Sequence, residues 1–155
     1  MNRGDSPEFP HFLFAGDGDD LAFIQATLRR LPVNAYGQAI VEVAAADQVR
    51  ALEAPERLGI TWLCRDDAGP SASPLLPGER LEAAIRAWLA EWMCPEAERI
   101  PRVIWIGAST CPPVEELHRG IRQLHPELRE LKGPAVPVRT RRSGERADDT
   151  QRRAG

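Results

Sequence analysis

Phe12-Leu13-Phe14-Ala15-Gly16-Asp17-Gly18-Asp19-Asp20-Leu21-Ala22-Phe23-Ile24 is the stretch that decides the fold. It reads as a buried strand, a tight acidic glycine turn and a helix. Leu21, Ile24, Leu28 and Leu31 recur at the spacing of one helical face. Such a unit opens a nucleotide-binding α/β sheet. A strand that stops at glycine lets the backbone approach a ligand, and the helix N-terminus offers unpaired N–H groups to an anion. The turn also carries three aspartates and lacks the third glycine of a dinucleotide fingerprint. A phosphate placed there would feel carboxylates as well as N–H groups.

Working outward, Pro32 limits the first helix, and Gln38 to Ala44 reads as a second strand whose β-branched residues suit a covered sheet. Asp47 to Leu52 is expected to form a short helix before Pro55, and Leu58 to Cys64 a third strand. A Pro-, Ser-, Gly- and Asp-rich loop from Arg65 to Gly78 follows, of a length typical of functional or mobile loops. Leu81, Ile85, Trp88 and Trp92 mark the next helix, closed by Pro95, and Arg102 to Gly107 is a fourth strand. The last helix carries Val114, Leu117, Ile121 and Leu124 and is expected to reach Leu128. Thr110 is its candidate cap, and Pro112 and Pro113 sit in its first turn, where proline is tolerated.

The domain thus spans residues 11–132, after an N-terminal extension of residues 1–10. Residues 133–155 lack a hydrophobic period and read as a disordered charged tail. Strands alternating with helices predict an α/β three-layer sandwich with a mostly parallel, Rossmann-like sheet. The predicted strand order is 3-2-1-4. Its switch point lies between the first and fourth strands, where Gly16–Asp20 and Gly107–Cys111 meet and where open α/β sheets bind ligands.

The chain has 155 residues and a net charge of -3, which argues against nucleic acid as a partner. Lys132 is the only lysine. Three cysteines, Cys64, Cys94 and Cys111, form no CxxC pair, and Met1 to Pro10 has no apolar h-region. Free thiols in a reducing, cytoplasmic setting are expected. The longest apolar runs are of strand length, too short to span a bilayer.

Several side chains are candidates for chemistry. Gly16 and Gly18 allow close approach of a nucleotide. In that reading Asp17 orients its polar groups; in the alternative Gly16 ends the strand and Asp19 or Asp20 caps the helix, where a carboxylate complements the macrodipole. Asp17, Asp19 and Asp20 lack the spacing and terminal glutamate of a calcium loop, so no metal is expected. Gly107-Ala108-Ser109-Thr110-Cys111 lacks the second glycine of a nucleophile elbow, which favours helix capping over catalysis. Cys111, beside a helix N-terminus, is a candidate for a lowered pKa. Arg65 ends the third strand on the ligand rim; it either grips an adenosine phosphate or is a solvated charge beside Asp66 and Asp67. Glu42 could meet a ribose hydroxyl. His11, His118 and His125 lack metal-ligand spacing.

Five segments carry a family likeness. Leu13-Phe14-Ala15-Gly16-Asp17 with Leu21-Ala22 resembles a strand running into a Gly-Asp-Glu-Thr-Ala turn. Leu28-Arg29-Arg30-Leu31-Pro32 resembles the following helix end, and Ile40-Val41-Glu42-Val43-Ala44 the second strand. Gly59-Ile60-Thr61-Trp62-Leu63-Cys64-Arg65 is similar to a Val-Thr-Trp-Leu-His-Arg stretch. Val103-Ile104-Trp105-Ile106-Gly107-Ala108-Ser109 is similar to Val-Trp-Val-Ala-Gly-Glu. Taken in order over residues 11–125, they resemble the C-terminal nucleotide-binding lobe of siderophore-interacting proteins, flavin-dependent ferric-siderophore reductases related to ferredoxin reductases.

The resemblance implies a lobe that binds NADPH or NADH around Gly16, Asp17, Gly18, Asp19, Glu42, Arg65, Gly107 and Ser109, with no catalytic side chain and no metal. In that family hydride passes from nicotinamide to flavin, and the flavin reduces the ferric siderophore. The flavin-bearing barrel has no room in this sequence, so FAD is expected only through a flavin-bearing partner, and the chain is not a self-sufficient enzyme. The departures favour an alternative, a non-catalytic interaction or regulatory module. Gly18-Asp19 replaces Glu-Thr, Ser109 replaces the glutamate, and the family's Tyr-Trp ending is missing. A methyltransferase using S-adenosylmethionine also fits a Gly-x-Gly turn, but it needs a longer sheet.

Overall fold

The computed structural model describes residues 9–68, 75–93, 100–108 and 110–133. Ser109, Cys94, most of the expected tail and part of the Arg65–Gly78 loop lie outside them. Five strands are present: β1 (His11–Asp17), β2 (Tyr36–Val43), β3 (Arg57–Cys64), β4 (Arg102–Ile106) and β5 (Arg129–Glu130). Three α-helices accompany them: α1 (Leu21–Leu28), α2 (Glu79–Trp92) and α3 (Pro112–Leu124). The sheet order is β3-β2-β1-β4-β5, and all four pairings are parallel.

The chain steps one way along the sheet from β1 to β3, then the other way from β4 to β5. The helices change face with it, as a single crossover handedness demands. On one face, Leu21, Ile24 and Leu28 of α1 pack with Phe12, Phe14 and Val41. On the other, Leu81, Ile85 and Trp88 of α2 and Val114, Leu117 and Ile121 of α3 pack with Leu13, Ile40 and Ile104. β1 lies between these layers, so Leu13, Phe14 and Ala15 are wholly buried and the strand reads as an unbroken apolar run. β2 starts at Tyr36, and at Gly37 (φ +146°) a Cβ would overlap the backbone of Phe12. Only glycine serves there.

Four local expectations change. The predicted Asp47–Leu52 helix is a single 3-10 turn, Ala46–Gln48, because the Gln48 side chain accepts the Ala44 N–H (2.8 Å) and Val49 is already extended. The last helix ends at Leu124, before His125-Pro126, and Leu128 lies beyond it. Cys111, not Thr110, is its N-cap, and no side chain caps it; Pro112 and Pro113 occupy the first turn as expected. The fifth strand is added at the β4 edge, where its Arg129 and Glu130 pair with Val103 and Ile104.

At the amino ends of the strands the sheet is plugged by rings. The buried His11 ring lies 5.1 Å from Tyr36, 5.3 Å from Trp88 and 4.0 Å from Trp92. Burial, with the Arg102 charge adding to it, lowers the His11 pKa to about 4. No helix among the described residues is long and apolar enough to cross a membrane.

Candidate functional site

β1 ends in the acidic turn. Its last residue, Asp17, accepts the Asp19 N–H on Oδ1 (3.0 Å) and so starts the 3-10 turn Gly18–Asp20. Asp20 reaches back: its Oδ2 accepts the N–H of Asp17 (3.0 Å) and, across the switch point, the N–H of Ala108 (2.7 Å). Ala108 presents that N–H from a left-handed conformation (φ 53°), strained for a residue with a Cβ.

The flanking glycines make room for this carboxylate. A Cβ on Gly16 would lie 2.8 Å from Asp20 Oδ2, and one on Gly107 would lie 2.6 Å from Asp20 Cγ and 2.6 Å from the Trp105 ring. Gly18 has no atom within 4 Å of the corresponding position, so no such demand acts there. Two of the three glycines that signal a nucleotide turn are thus fixed by an internal anion.

A cleft of about 880 Å³ opens between this turn, the end of β4 and the α3–β5 side. One wall holds Asp17, Asp19 and Asp20. The floor includes Phe23 and Trp105, whose ring centroids are 4.4 Å apart. The opposite wall holds His118, Arg122, Glu130 and Lys132. There Glu130 Oε1 is 2.6 Å from His118 Nε2 and 3.0 Å from Arg122 Nε, and its Oε2 is 2.9 Å from Arg122 Nη2. Burial pushes the Glu130 carboxyl up, but the hydrogen bonds from Arg122 and His118 outweigh it and hold the group below its ordinary range. Asp17 moves the other way: burial, then the Asp20 charge, raise it.

Asp17, Asp19 and Gly107 line the cleft, and Gly16 and Gly18 build the turn at its edge. Glu42 and Arg65 are brought together elsewhere. Glu42, 1 % exposed, lies 3.1 Å from Arg65 Nη1 and accepts the N–H of Gly78 (2.8 Å) and of Leu81 (3.1 Å). Gly78, the residue before α2, offers no side-chain cap; Glu42 supplies the missing anion from β2. Ser109 lies outside the described residues.

Cys111 does not have the lowered pKa expected of it. Burial, with the Asp17 carboxylate 3.9 Å from its Sγ, pushes the thiol up. Cys64, Asp66 and Asp67 place ligand-type atoms within 4.8 Å of one another. Two are exposed carboxylates, and burial raises the thiol, so the group has the ordinary look of a polar surface turn.

Asp20, Phe23, Trp105, His118, Arg122, Glu130 and Lys132 were not singled out as binding residues by sequence. Two signals were available: His118 and Arg122 are one helical turn apart on α3, and Lys132 is the only lysine.

The profile of the siderophore-interacting protein family matches residues 9–131. The chain belongs to this family. Among solved structures, a siderophore utilization protein from T. fusca superposes with a TM-score of 0.51 at 24% identity, over 80% of this chain and 44% of that one. The siderophore-interacting protein from Acinetobacter baumannii gives a TM-score of 0.50 at 11% identity, over 80% and 43%. At these identities the likeness shows the fold alone, a siderophore-interacting-protein α/β lobe. An uncharacterised Mycobacterium tuberculosis protein is 40% identical over 53 residues, 34% of this chain and 19% of that protein. The chain therefore spans less than half the length of the relatives it matches.

The cleft suits a nicotinamide dinucleotide in part. Phe23 and Trp105 offer apolar surface to a planar ring, and Arg122 and Lys132 offer positive charge. The Asp17 and Ala108 amides already serve Asp20, so the turn itself is no free phosphate cradle. Among the described residues there is no barrel to hold a flavin.

Proposed function

We propose that this chain binds NADPH or NADH in the cleft and acts as the nucleotide lobe of a ferric-siderophore reductase whose FAD is carried by a flavin-bearing partner. The supporting observation is the place of the cleft. It opens at the β1/β4 switch point of a siderophore-interacting-protein lobe, with an aromatic floor and a cationic wall. Bound there, the dinucleotide would supply hydride to the partner's flavin. The chain's own residues position it. Phe23 and Trp105 shelter a ring from water, Gly107 keeps Asp20 and Trp105 in place beside it, and Asp17 and Asp19 accept hydrogen bonds from ribose hydroxyls or the carboxamide. Residues of the chain neither take nor give a proton in this scheme.

One observation favours a second reading, a lobe that has become an interaction or regulatory module. The Asp20 carboxylate occupies the two amides that an anion would otherwise use. Thermal-shift and calorimetric titrations with NADPH, NADH and S-adenosylmethionine separate the two. A dinucleotide at a hundredfold excess over its Kd stabilises the folded chain by about 2.7 kcal/mol, a shift of several degrees. No shift with either dinucleotide at millimolar concentration sinks the reductase reading and leaves the module. Response to S-adenosylmethionine alone redirects the site to methyl transfer.

A further inference from the structure

Both places where the sequence suggested an anion would bind are closed by the protein's own side chains. The switch-point amides hold Asp20, and Arg65 holds the buried Glu42. The cleft itself is polarised. Its turn side carries Asp17, Asp19 and Asp20 with no basic residue beside them in the lining. Its α3–β5 side carries Arg122, Lys132 and His118 against the single carboxylate of Glu130. Among the described lining residues that side is net positive whatever the state of His118.

Glu130 also sets geometry. It takes Nε and Nη2 of Arg122 and Nε2 of His118, which orients both groups; among the described residues Arg122 Nη1 and His118 Nδ1 have no partner, and the latter is a donor only in the imidazolium form. Lys132 makes no ion pair with any described residue and stands two residues beyond Glu130 on the same wall. Arg122 Nη1, the Nδ1–H of the His118 imidazolium and the Lys132 ammonium, beside an apolar floor, form a receptor for a phosphate group.

We infer that the α3–β5 wall is the anion subsite of the cleft: Lys132, Arg122 and His118 receive a phosphate of the ligand, and the aspartate turn receives only its uncharged hydrogen-bond donors. The identity of the ligand as a dinucleotide rests on the proposed function; the subsite does not. The phosphate is either the pyrophosphate shared by both dinucleotides or the additional 2′-phosphate of NADPH.

The test is calorimetric titration of the full chain with NADPH, NADH and sodium pyrophosphate, using wild type, Lys132→Gln, His118→Gln and Arg119→Gln. Arg119 is next to His118 in sequence and pairs with Glu115, outside the cleft lining, so its loss changes net charge without touching the subsite. Lys132 is exposed, and its replacement leaves the fold intact. Lys132→Gln and His118→Gln are each expected to weaken binding about tenfold, with Arg119→Gln near wild type. A loss confined to NADPH assigns the subsite to the 2′-phosphate; equal losses with both dinucleotides assign it to the pyrophosphate. Pyrophosphate binding that depends on Lys132, with no dinucleotide binding, leaves the subsite standing and removes the reductase reading. If no probe binds wild type more tightly than Lys132→Gln, the subsite is overturned, even where dinucleotide binding upholds the reductase reading.

Discussion

Glu42 and Asp20 are both carboxylates that accept two backbone N–H groups at junctions of this sheet, yet they sit in opposite circumstances. Glu42 is out of water, ties β2 to the start of α2 and is balanced by Arg65. Asp20 is half-buried, ties β1 to the end of β4 and has another carboxylate, Asp17, beside it. The first is a lock whose loss strands a part-buried guanidinium and two buried amides. The second is a placeholder in a cleft, where water or a ligand can take over its hydrogen bonds. A carboxylate at a helix start or strand end therefore says little about function until its balancing charge and its exposure are known.

The contrast fails most visibly if Glu42 proves dispensable. Glu42→Ala is expected to cost about 3–4 kcal/mol in urea denaturation, because it leaves two buried N–H groups without an acceptor and a part-buried guanidinium without its counter-charge. His11 extends the series to a buried group with no balancing charge. The unfolded chain takes up a proton near the ordinary value of 6.5, whereas folded His11 resists protonation until about pH 4. Its contribution is complete above pH 6.5, falls as pH drops toward 4, and amounts to about 3 kcal/mol over that window. Denaturation curves across it should slope for wild type and lie flatter for His11→Phe.

Smaller effects probe the placeholder. Gly107→Ala drives a methyl into the Asp20 carboxyl and Trp105 and should cost about 2 kcal/mol. In the double variant with Asp20→Ala part of that cost should vanish; strict additivity of the two losses would show that Gly107 does not serve Asp20. Asp20→Ala alone should cost only about 1 kcal/mol, since the carboxylate is half-buried and both of its partners line the cleft, where water can replace it. The same change should tighten binding of any anionic ligand in the cleft severalfold. A cost equal to that of Glu42→Ala would erase the distinction between lock and placeholder.

Much of the frame was legible in the sequence because four strands and three helices each bury a continuous or periodic apolar set, and the alternation of types left one plausible order. β5 was not legible, because it has two exposed, charged residues, is joined to β4 by the backbone, and is tied to α3 by Glu130 through contacts that no local pattern announces. The helix expected at Asp47–Leu52 gave way to a turn in which the Gln48 side chain accepts the N–H groups of Ala44 and Ala45, which no propensity encodes. In the site, the Gly-Asp turn announced itself, since glycine and aspartate are the residues such a turn needs. The pairing of Glu42 with Arg65 did not: 23 positions separate them, and the amides they serve belong to a third segment. Composition named the charges, and only tertiary structure shows which of them are already spent.

The lone lysine has a practical consequence. Lys132 stands on the wall of the cleft, and the α-amino group is the one other amine in the chain. An amine-reactive reagent therefore modifies a single side chain, and that side chain borders the cleft. The rate of its modification becomes a direct gauge of occupancy, readable by mass on the intact protein without any spectroscopic label.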